Sequence, residues 1–300
     1  MPPPISINGP RSSRPTNNRF ETMTASPHIE KPLHPAPSLT PSQLTPMFAQ
    51  YLEIKKEHED CLLFYRMGDF YELFFDDAVV AAKALQITLT SRNAQAENPV
   101  PMCGVPHHSS ESYVAQLLEK GFKVAVCEQT EDPKSAKGLV KRSVIRVRTP
   151  GTTVEDSGLS AKGHNYLGAL YWNAEKSHGG FAWIDYSTGE WSGLFSKKEQ
   201  ELWQWVQKMQ PRELLLADEA GDDYRKAKTL LQGISTPVRL PQRGYFELKS
   251  ASSRILEAQG IKELGAVGLT GKEELIRACG ALLGYLVQTQ KQELSHLRPF

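Results

Sequence analysis

Residues 66–77 read RMGDFYELFFDD, and this stretch decides the fold of the region around it. The apolar run CLLFYRMG that leads into it predicts a buried strand, and DFYELF predicts a second strand that follows closely. Because side chains alternate along a strand, Phe70 and Glu72 point to one side, whereas Tyr71 and Leu73 point to the other. We therefore predict that Tyr71 and Leu73 belong to the core.

Phe70 and Glu72 are an awkward pair for a buried face. An unpaired carboxylate is costly to bury, so either Phe70 is exposed or Glu72 has a partner such as Arg66 or Arg92. An exposed aromatic ring beside a hydrogen-bond acceptor can wedge between bases while the carboxylate bonds to a base edge. A carboxylate near phosphates repels them, so it would serve discrimination more than affinity. These residues alone leave a base reader and an ion-paired surface both open.

The flanking sequence predicts an α/β domain over residues 43–150. Thr40 or Ser42 can cap a first helix in TPSQLTPMFAQYLEIKKEHED, and Asp76 or Asp77 can cap a second helix in AVVAAKALQ. ITLTSR, FKVAVCEQ and SVIRVRTPGT have the composition of strands, and SSESYVAQLLEKG that of a helix. The proline-rich segment NAQAENPVPMCGVPHHS is interpreted as a loop.

A second α/β domain is predicted over residues 165–255. YLGALYW, GFAWIDYST and EWSGLF are short strands joined by tight turns, followed by the helix KKEQELWQWVQKMQ and the strand RELLLAD. Residues 151–164 form the linker between the domains, and residues 256–300 end in an amphipathic helix that is expected to start a further domain. Residues 1–42, rich in Pro, Ser, Thr and Asn, are interpreted as a disordered leader.

Composition fits a globular chain of about two domains, with 40% hydrophobic residues, 23% charged residues and a formal net charge of +1. The four cysteines, which lack CxxC spacing, are expected to be reduced, buried thiols rather than disulfides or zinc ligands. The sequence contains neither an apolar run long enough for a membrane span nor a secretory signal. We therefore expect a cytoplasmic protein that makes no membrane contact.

A basic run lies near the end of the first predicted domain. It contains no acidic residue and six basic ones: Lys134, Lys137, Lys141, Arg142, Arg146 and Arg148. If residues 142–148 are extended, the three arginines share a face that suits phosphates. A solvated edge strand, protected by its charges against aggregation, explains the run equally well.

Asp185 suggests an alternative function, that of a ribonuclease H-like nuclease built on the second domain. Two-metal cleavage needs several converging carboxylates, and the neighbouring strands offer Glu190 and little else. We therefore interpret Asp185 as a strand-end residue that bonds to the backbone of the Ser-Thr-Gly turn after it.

Long stretches of the chain resemble the MutS family of DNA mismatch repair proteins. TPMFAQYLEIKKEHEDCLLFYRMGDFYELFFDDA, PVPMCGVPHHSSESYVAQLLEKG, VAVCEQTEDP and VIRVRTPGT resemble its N-terminal mismatch-recognition domain. IDYSTGEW and PRELLLA resemble its connector domain, which has a ribonuclease H-like fold. The resemblance covers residues 44–300 and ends in the first helix of the all-α core (lever) domain.

The resemblance implies that Phe70 wedges against a mispaired base and that Glu72 bonds to it. Met67 and Arg92 are implied to lie near the DNA, with Arg92 on a phosphate. Further candidate contacts to the DNA backbone are Lys141, Arg142, Arg146 and Arg148. Because a mismatch is already poorly stacked, kinking the duplex there costs less than kinking sound duplex.

The resemblance also implies partners and limits. The ligand would be double-stranded DNA with mismatches or small loops, in the cytosol of a bacterium and close to its nucleoid. The family forms a homodimer, and its connector domain implies a MutL-type repair partner. The rest of the core, the clamp and the ATPase domain, with its ATP and magnesium, are missing. We therefore expect a fragment without catalytic site, cofactor or metal, and a weak DNA binder by itself; a connector-type protein-interaction module is a further alternative.

Overall fold

The structure is a computed structural model. It describes residues 45–93, 99–131, 138–153, 165–217, 222–231, 236–241, 244–291 and 294–300. The predicted leader, with the proposed caps Thr40 and Ser42, and most of the linker lie outside these ranges. The predicted fold class is confirmed: two sheets, each covered by helices, are followed by a long C-terminal helix that fits the start of an all-α domain.

The first sheet has six strands in the order β3-β4-β2-β1-β5-β6. The strands are β1 (Leu62–Met67), β2 (Phe70–Phe74), β3 (Thr90–Arg92), β4 (Val100–Pro106), β5 (Val124–Gln129) and β6 (Arg142–Arg148). Its helices are α1 (Pro46–Glu57), α2 (Phe75–Leu85) and α3 (Ser110–Glu119). β1 and β5 are parallel and the other neighbours are antiparallel, so the sheet is mixed.

Helices cover both faces of this sheet. Tyr71 and Leu73 are buried in the core that α2 and α3 share with one face, as predicted. On the other face, Phe74 and Tyr65 are buried under α1, where Tyr51 packs against both rings with centroids 5.1 and 5.4 Å away. The alternation expected for β2 therefore holds over its whole length.

Two predicted helix caps are wrong. Asp76 and Asp77 lie in the first turn of α2, whose N-cap is Phe74. The Asp77 carboxylate is buried and accepts hydrogen bonds from Lys55 Nζ and the Leu63 amide, both at 2.9 Å. It joins α1, β1 and α2, and this role could not be read from local sequence because its partners are distant along the chain. The N-cap of α1 is Thr45, whose Oγ1 accepts from the amide of Phe48, three residues on, at 3.3 Å.

The segment interpreted as a loop contains β4, so that prediction is wrong as well. β4 pairs with β2 from Phe70↔Pro106 to Phe74↔Met102, and with β3 at its other end. Its two prolines stand near the strand ends, at positions 101 and 106, where a missing amide donor costs the ladder little.

The second sheet has five strands in the order β11-β10-β7-β8-β9. The strands are β7 (Tyr166–Asn173), β8 (His178–Asp185), β9 (Glu190–Ser196), β10 (Glu213–Leu215) and β11 (Val238–Arg239). Its helices are α4 (Glu199–Met209), α5 (Asp222–Leu230), α6 (Leu248–Gln259) and α7 (Glu273–Gln290). The three meandering strands, the helix and the following strand were predicted, whereas α5, β11 and α6 were not.

The last helix, α7, packs against the second sheet. Its buried residues share one core with Leu167 and Ile184 of the sheet and with Ile255 of α6. The approach is closest at Gly180 of β8, where an added Cβ would lie 2.3 Å from the Cα of Leu275. α7 therefore packs directly on the second sheet. The bounds of a separate domain over residues 256–300 stay a prediction.

A buried charged cluster joins the two sheets. Glu213 of β10 is fully buried and accepts from Arg239 Nε at 2.9 Å, from Tyr285 Oη at 2.8 Å and from the Gly151 amide at 3.2 Å. Arg239 also donates from Nη2 to the Gly121 carbonyl oxygen, at the end of α3, at 2.5 Å. The first sheet's helix layer and the second sheet are thus held by one ionic network.

The four cysteines are free and buried, as expected. Burial raises the pKa of each thiol. Across the described ranges, no helix has both the length and the apolar character needed to cross a membrane.

Candidate nucleic-acid interface

The candidate site lies at the end of the β1–β2 hairpin, where the cover provided by α1 stops. Phe74, at one end of β2, is fully buried, whereas Phe70, at the other end of the same face, is 47% exposed. Phe70 pairs with Met67 across the hairpin and with Pro106 on β4. A large aromatic ring thus projects from a well-packed strand into solvent.

Glu72 lies on the same face, one pleat closer to the core. Its Oε2 is 3.2 Å from Arg92 Nη1, and its side chain is 21% exposed. Burial raises the pKa of Glu72 above its ordinary value, and the nearby cations Arg92 and Arg142 oppose this rise. Both alternatives predicted from the sequence therefore hold: Phe70 is exposed, and Glu72 is paired with Arg92, one of its two suggested partners.

A glycine keeps the surface beside this pair open. Gly104 of β4 lies opposite Glu72, and an added Cβ there would be 3.8 Å from Cγ of Glu72 and 4.0 Å from Cδ1 of Phe70. Glycine at this position therefore adds no side chain between Glu72 and Phe70.

On the opposite face, a polar cluster supports the hairpin. The Tyr71 hydroxyl donates to Oε1 of Glu128, which also lies 3.7 Å from Arg66 Nη1 and 3.8 Å from His107 Nε2. Burial and the bond to Glu128 raise the pKa of Tyr71, so the phenol stays a donor. Glu128 was not predicted from the sequence, because its partner Tyr71 is 57 residues away and no local pattern marks the pair.

The prediction that Arg142, Arg146 and Arg148 share a face is wrong. β6 carries a bulge: Val126 pairs with Arg146 but Cys127 pairs with Val144, so Ile145 is an extra residue. A bulge reverses the alternation beyond it.

Arg142 accordingly lies on the α1 face, 4.8 Å over the Tyr65 ring, whereas Arg148 pairs at 3.1 Å with Glu111 of α3 on the other face. Lys141 is exposed and Arg146 is half-buried, while Lys134 and Lys137 lie outside the described residues.

Asp185 is placed as a turn residue. Its Oδ1 accepts from the amide and the hydroxyl of Ser187, at 3.0 and 2.5 Å, as the sequence predicted. The neighbouring Glu190 is paired with Arg298. Among the described residues, no three His, Cys, Asp or Glu side chains come close enough together to hold a metal ion.

The fold and the site together define a two-domain α/β protein with a candidate nucleic-acid interface at the tip of a hairpin. The chain belongs to the MutS family. MutS domain I matches residues 45–157, and MutS domain II matches residues 165–298. The bounds of the domains drawn from sequence stay predictions, and the domain II match includes α6 and α7.

The chain is similar to bacterial proteins named DNA mismatch repair protein MutS. It is 63% identical over 258 residues to the protein of Nitratidesulfovibrio vulgaris. The aligned region covers 86% of this chain and 28% of the relative. The identity is 54% to the protein of Lawsonia intracellularis, over 86% of this chain and 28% of the relative. It is 44% to the protein of Acetivibrio thermocellus, over 86% of this chain and 30% of the relative. The chain therefore spans about 28% of the length of these relatives.

Among solved structures, a chain of a simian T-cell lymphotropic virus intasome in complex with PP2A regulatory subunit B56 gamma overlaps 44% of this chain and 55% of its own length. The TM-score is 0.20 and the identity 8%, which is too low to support an inference.

Proposed function

We propose that this chain recognises mismatched or unpaired bases in duplex DNA for mismatch repair. In this proposal the Phe70 ring stacks on the mispaired base and Glu72 accepts a hydrogen bond from it. The observation that carries the proposal is the exposed Phe70 ring beside a carboxylate on one face of β2. The names of the relatives support the same function.

The energies of stacking and of kinking the duplex favour recognition of a mismatch rather than of a base sequence. Stacking of one base on an aromatic ring is worth about 1–3 kcal/mol, and every base offers such a face. Kinking the duplex costs a comparable amount and costs less where stacking is already weak. In this proposal the Phe70 wedge distinguishes mismatched from matched duplex by how easily the duplex deforms. Glu72 adds the one contact that depends on the identity of the base.

Phe70→Ala tests the proposal. The measurement is the ratio of the dissociation constants for a G·C homoduplex and the matching G·T heteroduplex, from fluorescence anisotropy at one fixed salt concentration. The wild type is expected to prefer the heteroduplex, and loss of the stacking ring should lower the ratio roughly tenfold or to one.

Val79→Ala is the matched control. Val79 is similarly exposed, at 43%, but it lies on α2, which covers the other face of the sheet. The control should keep the wild-type ratio. An unchanged ratio in Phe70→Ala would show that Phe70 is not the wedge.

Glu72→Ala should act differently from Phe70→Ala. Removing a negative charge from a surface that faces phosphates should strengthen homoduplex binding, while loss of the acceptor weakens the contact with the mispaired base. The ratio is expected to fall several-fold while total binding is kept or increased. Equal weakening on both duplexes would instead indicate a structural role of the Glu72–Arg92 pair.

Met67 lies beside Phe70, and Arg92 holds Glu72 with its side chain 36% exposed, so both are suited to contact DNA near the lesion. Homodimer formation, a MutL-type partner, ATP and magnesium belong to the proposal for the whole protein. So do a cytosolic location and the lack of a catalytic site in this chain. Asp185→Asn tests the nuclease alternative: magnesium-dependent cleavage of DNA that is lost in this variant would contradict the proposed role.

A further inference from the structure

The guanidinium of Arg142 is occupied by contacts within the protein. Nε donates to the Arg66 carbonyl oxygen at 2.8 Å, and Nη1 donates to the Val140 carbonyl oxygen at 2.9 Å. Nη1 also bonds to Gln50 Oε1 at 3.2 Å, and Nη2 approaches Met67 Sδ at 3.4 Å.

These contacts leave little for a ligand. A guanidinium has five N–H donors, and four are directed at the partners just named. Gripping a phosphate in the two-pronged manner typical of arginine requires two parallel N–H groups. Within the described part of the chain, Arg142 has one donor left, so it could bind a phosphate in that manner only by giving up one of these four contacts, two of which hold the hairpin.

Two of the four partners of Arg142, Arg66 and Met67, are the last residues of β1. Arg66 and Met67 precede a turn in which Gly68 has a positive φ of 58°, and Met67 pairs directly with Phe70. The turn residues Gly68 and Asp69 are exposed and add no core contact. The position of the Phe70 ring therefore depends in part on how firmly the end of β1 is held, beside the pairing of β2 with β4 and the bond from the His107 amide to the Asp69 carbonyl oxygen.

We propose that Arg142 is a positioning residue that fixes the β1–β2 hairpin, and through it Phe70, rather than a ligand of DNA phosphate. It holds the α1 face of the hairpin, and the Tyr71–Glu128 pair holds the opposite face. The proposal rests on the proposed function for its effect on DNA, but the contact itself is independent of DNA.

Arg142→Lys separates the two roles. Lysine keeps the charge but is a single flexible ammonium, so it cannot reach the Arg66 carbonyl, Gln50 and Met67 together. Positioning predicts that the homoduplex-to-heteroduplex ratio falls several-fold. A phosphate contact predicts that lysine keeps both the affinity and the ratio, and that outcome would overturn the proposal.

Two comparisons sharpen the result. Arg277→Lys is the same change in the second domain, where Arg277 of α7 donates from Nη1 to the Phe246 carbonyl oxygen at 2.8 Å, so the ratio should stay at the wild-type value. Arg142→Gln should leave the dependence of log affinity on log salt unchanged. A slope reduced by about 0.9 would indicate one lost phosphate contact and would contradict positioning.

A measurement without DNA distinguishes failure of this inference from failure of the proposed function. In spectra of methionine labelled at the methyl carbon, Arg142→Lys should shift the Met67 resonance and leave that of Met209, in the second domain, in place. Met67→Leu assigns the signal. If the wild type shows no mismatch preference, the proposed function fails, and the Met67 resonance alone then tests the positioning contact. A shift of that resonance in Arg142→Lys supports the contact, and an unchanged resonance overturns it.

Discussion

Arg239→Met is expected to lower the free energy of unfolding by about 3–5 kcal/mol, the cost of leaving one member of a buried ion pair without its partner. Methionine fills a similar volume, so the loss reflects the charge and hydrogen bonds rather than a cavity. Glu213 would remain fully buried, with Tyr285 and the Gly151 amide as its other hydrogen-bond donors. Urea unfolding followed by circular dichroism measures the change.

The pH of that measurement matters. Burial raises the pKa of Glu213, but the charges of Arg239 and Lys123 outweigh it and hold the pKa below the ordinary value. A carboxyl with a lowered pKa in the folded state stabilises the protein above its ordinary pKa, and this stabilisation is lost as the pH falls through the lowered value. The comparison should therefore be made near neutral pH, where the contribution is complete.

Two controls accompany Arg239→Met. Arg298→Met breaks the Arg298–Glu190 pair, in which both side chains are 58% exposed, and should cost less than about 1 kcal/mol. Adding Glu213→Gln to Arg239→Met should recover part of the loss, because a neutral amide is cheaper to bury without a cation. A double variant no more stable than Arg239→Met would show that packing, not charge, accounts for the loss.

Gly180→Ala is expected to destabilise the second domain by about 3 kcal/mol or more, the upper end for overpacked cores. The new Cβ would lie 2.3 Å from Cα and 2.4 Å from N of Leu275, and 2.6 Å from C of Glu274. These are backbone atoms of α7, so no side-chain rotation relieves the clash, and the helix must move off β8. Urea unfolding followed by circular dichroism, which reports on both domains, measures the change.

Gly104→Ala is the matched change. Gly104 also lies within a strand, but the closest atom to its added Cβ is the Tyr71 carbonyl oxygen at 3.4 Å, an ordinary contact. Its stability should stay within about 1 kcal/mol of the wild type. Equal losses in the two variants would mean that glycine is needed for strand geometry rather than for the approach of α7.

Local periodicity predicted the centre of the site well. The two-residue repeat of a strand placed Phe70 and Glu72 on one face and Tyr71 and Leu73 on the other. The cost of burying a carboxylate suggested Arg66 or Arg92 as a partner of Glu72, and Arg92 is the one that pairs with it. Each of these inferences needs only neighbours in sequence or one general rule about charge. The contacts proposed for Phe70 and Glu72 with a base stay predictions.

The predictions that failed depended on distant partners. The bulge at Ile145 exists only in relation to β5, so the run of arginines could not reveal it. Asp77 resembles a helix cap until Lys55, 22 residues earlier, is placed beside it. Glu213 lies in an apolar strand, and its partner Tyr285 is 72 residues away, so nothing local marks it as the centre of an ionic network.

The strand β2 has a mechanical consequence. Its Phe74 end is clamped among the Phe48 and Tyr51 rings, with centroids 5.2 and 5.1 Å from that of Phe74 and nearly perpendicular planes. Its Phe70 end, roughly 13 Å away at the usual rise of a strand, is paired with β1 and β4 on its two sides but leaves its ring 47% exposed. A load on the Phe70 ring therefore passes into the paired strands β1 and β4 as well as along β2 to the buried rings. The stiffness of this packing around Phe74 helps to set how far the Phe70 ring yields when a ligand presses on it.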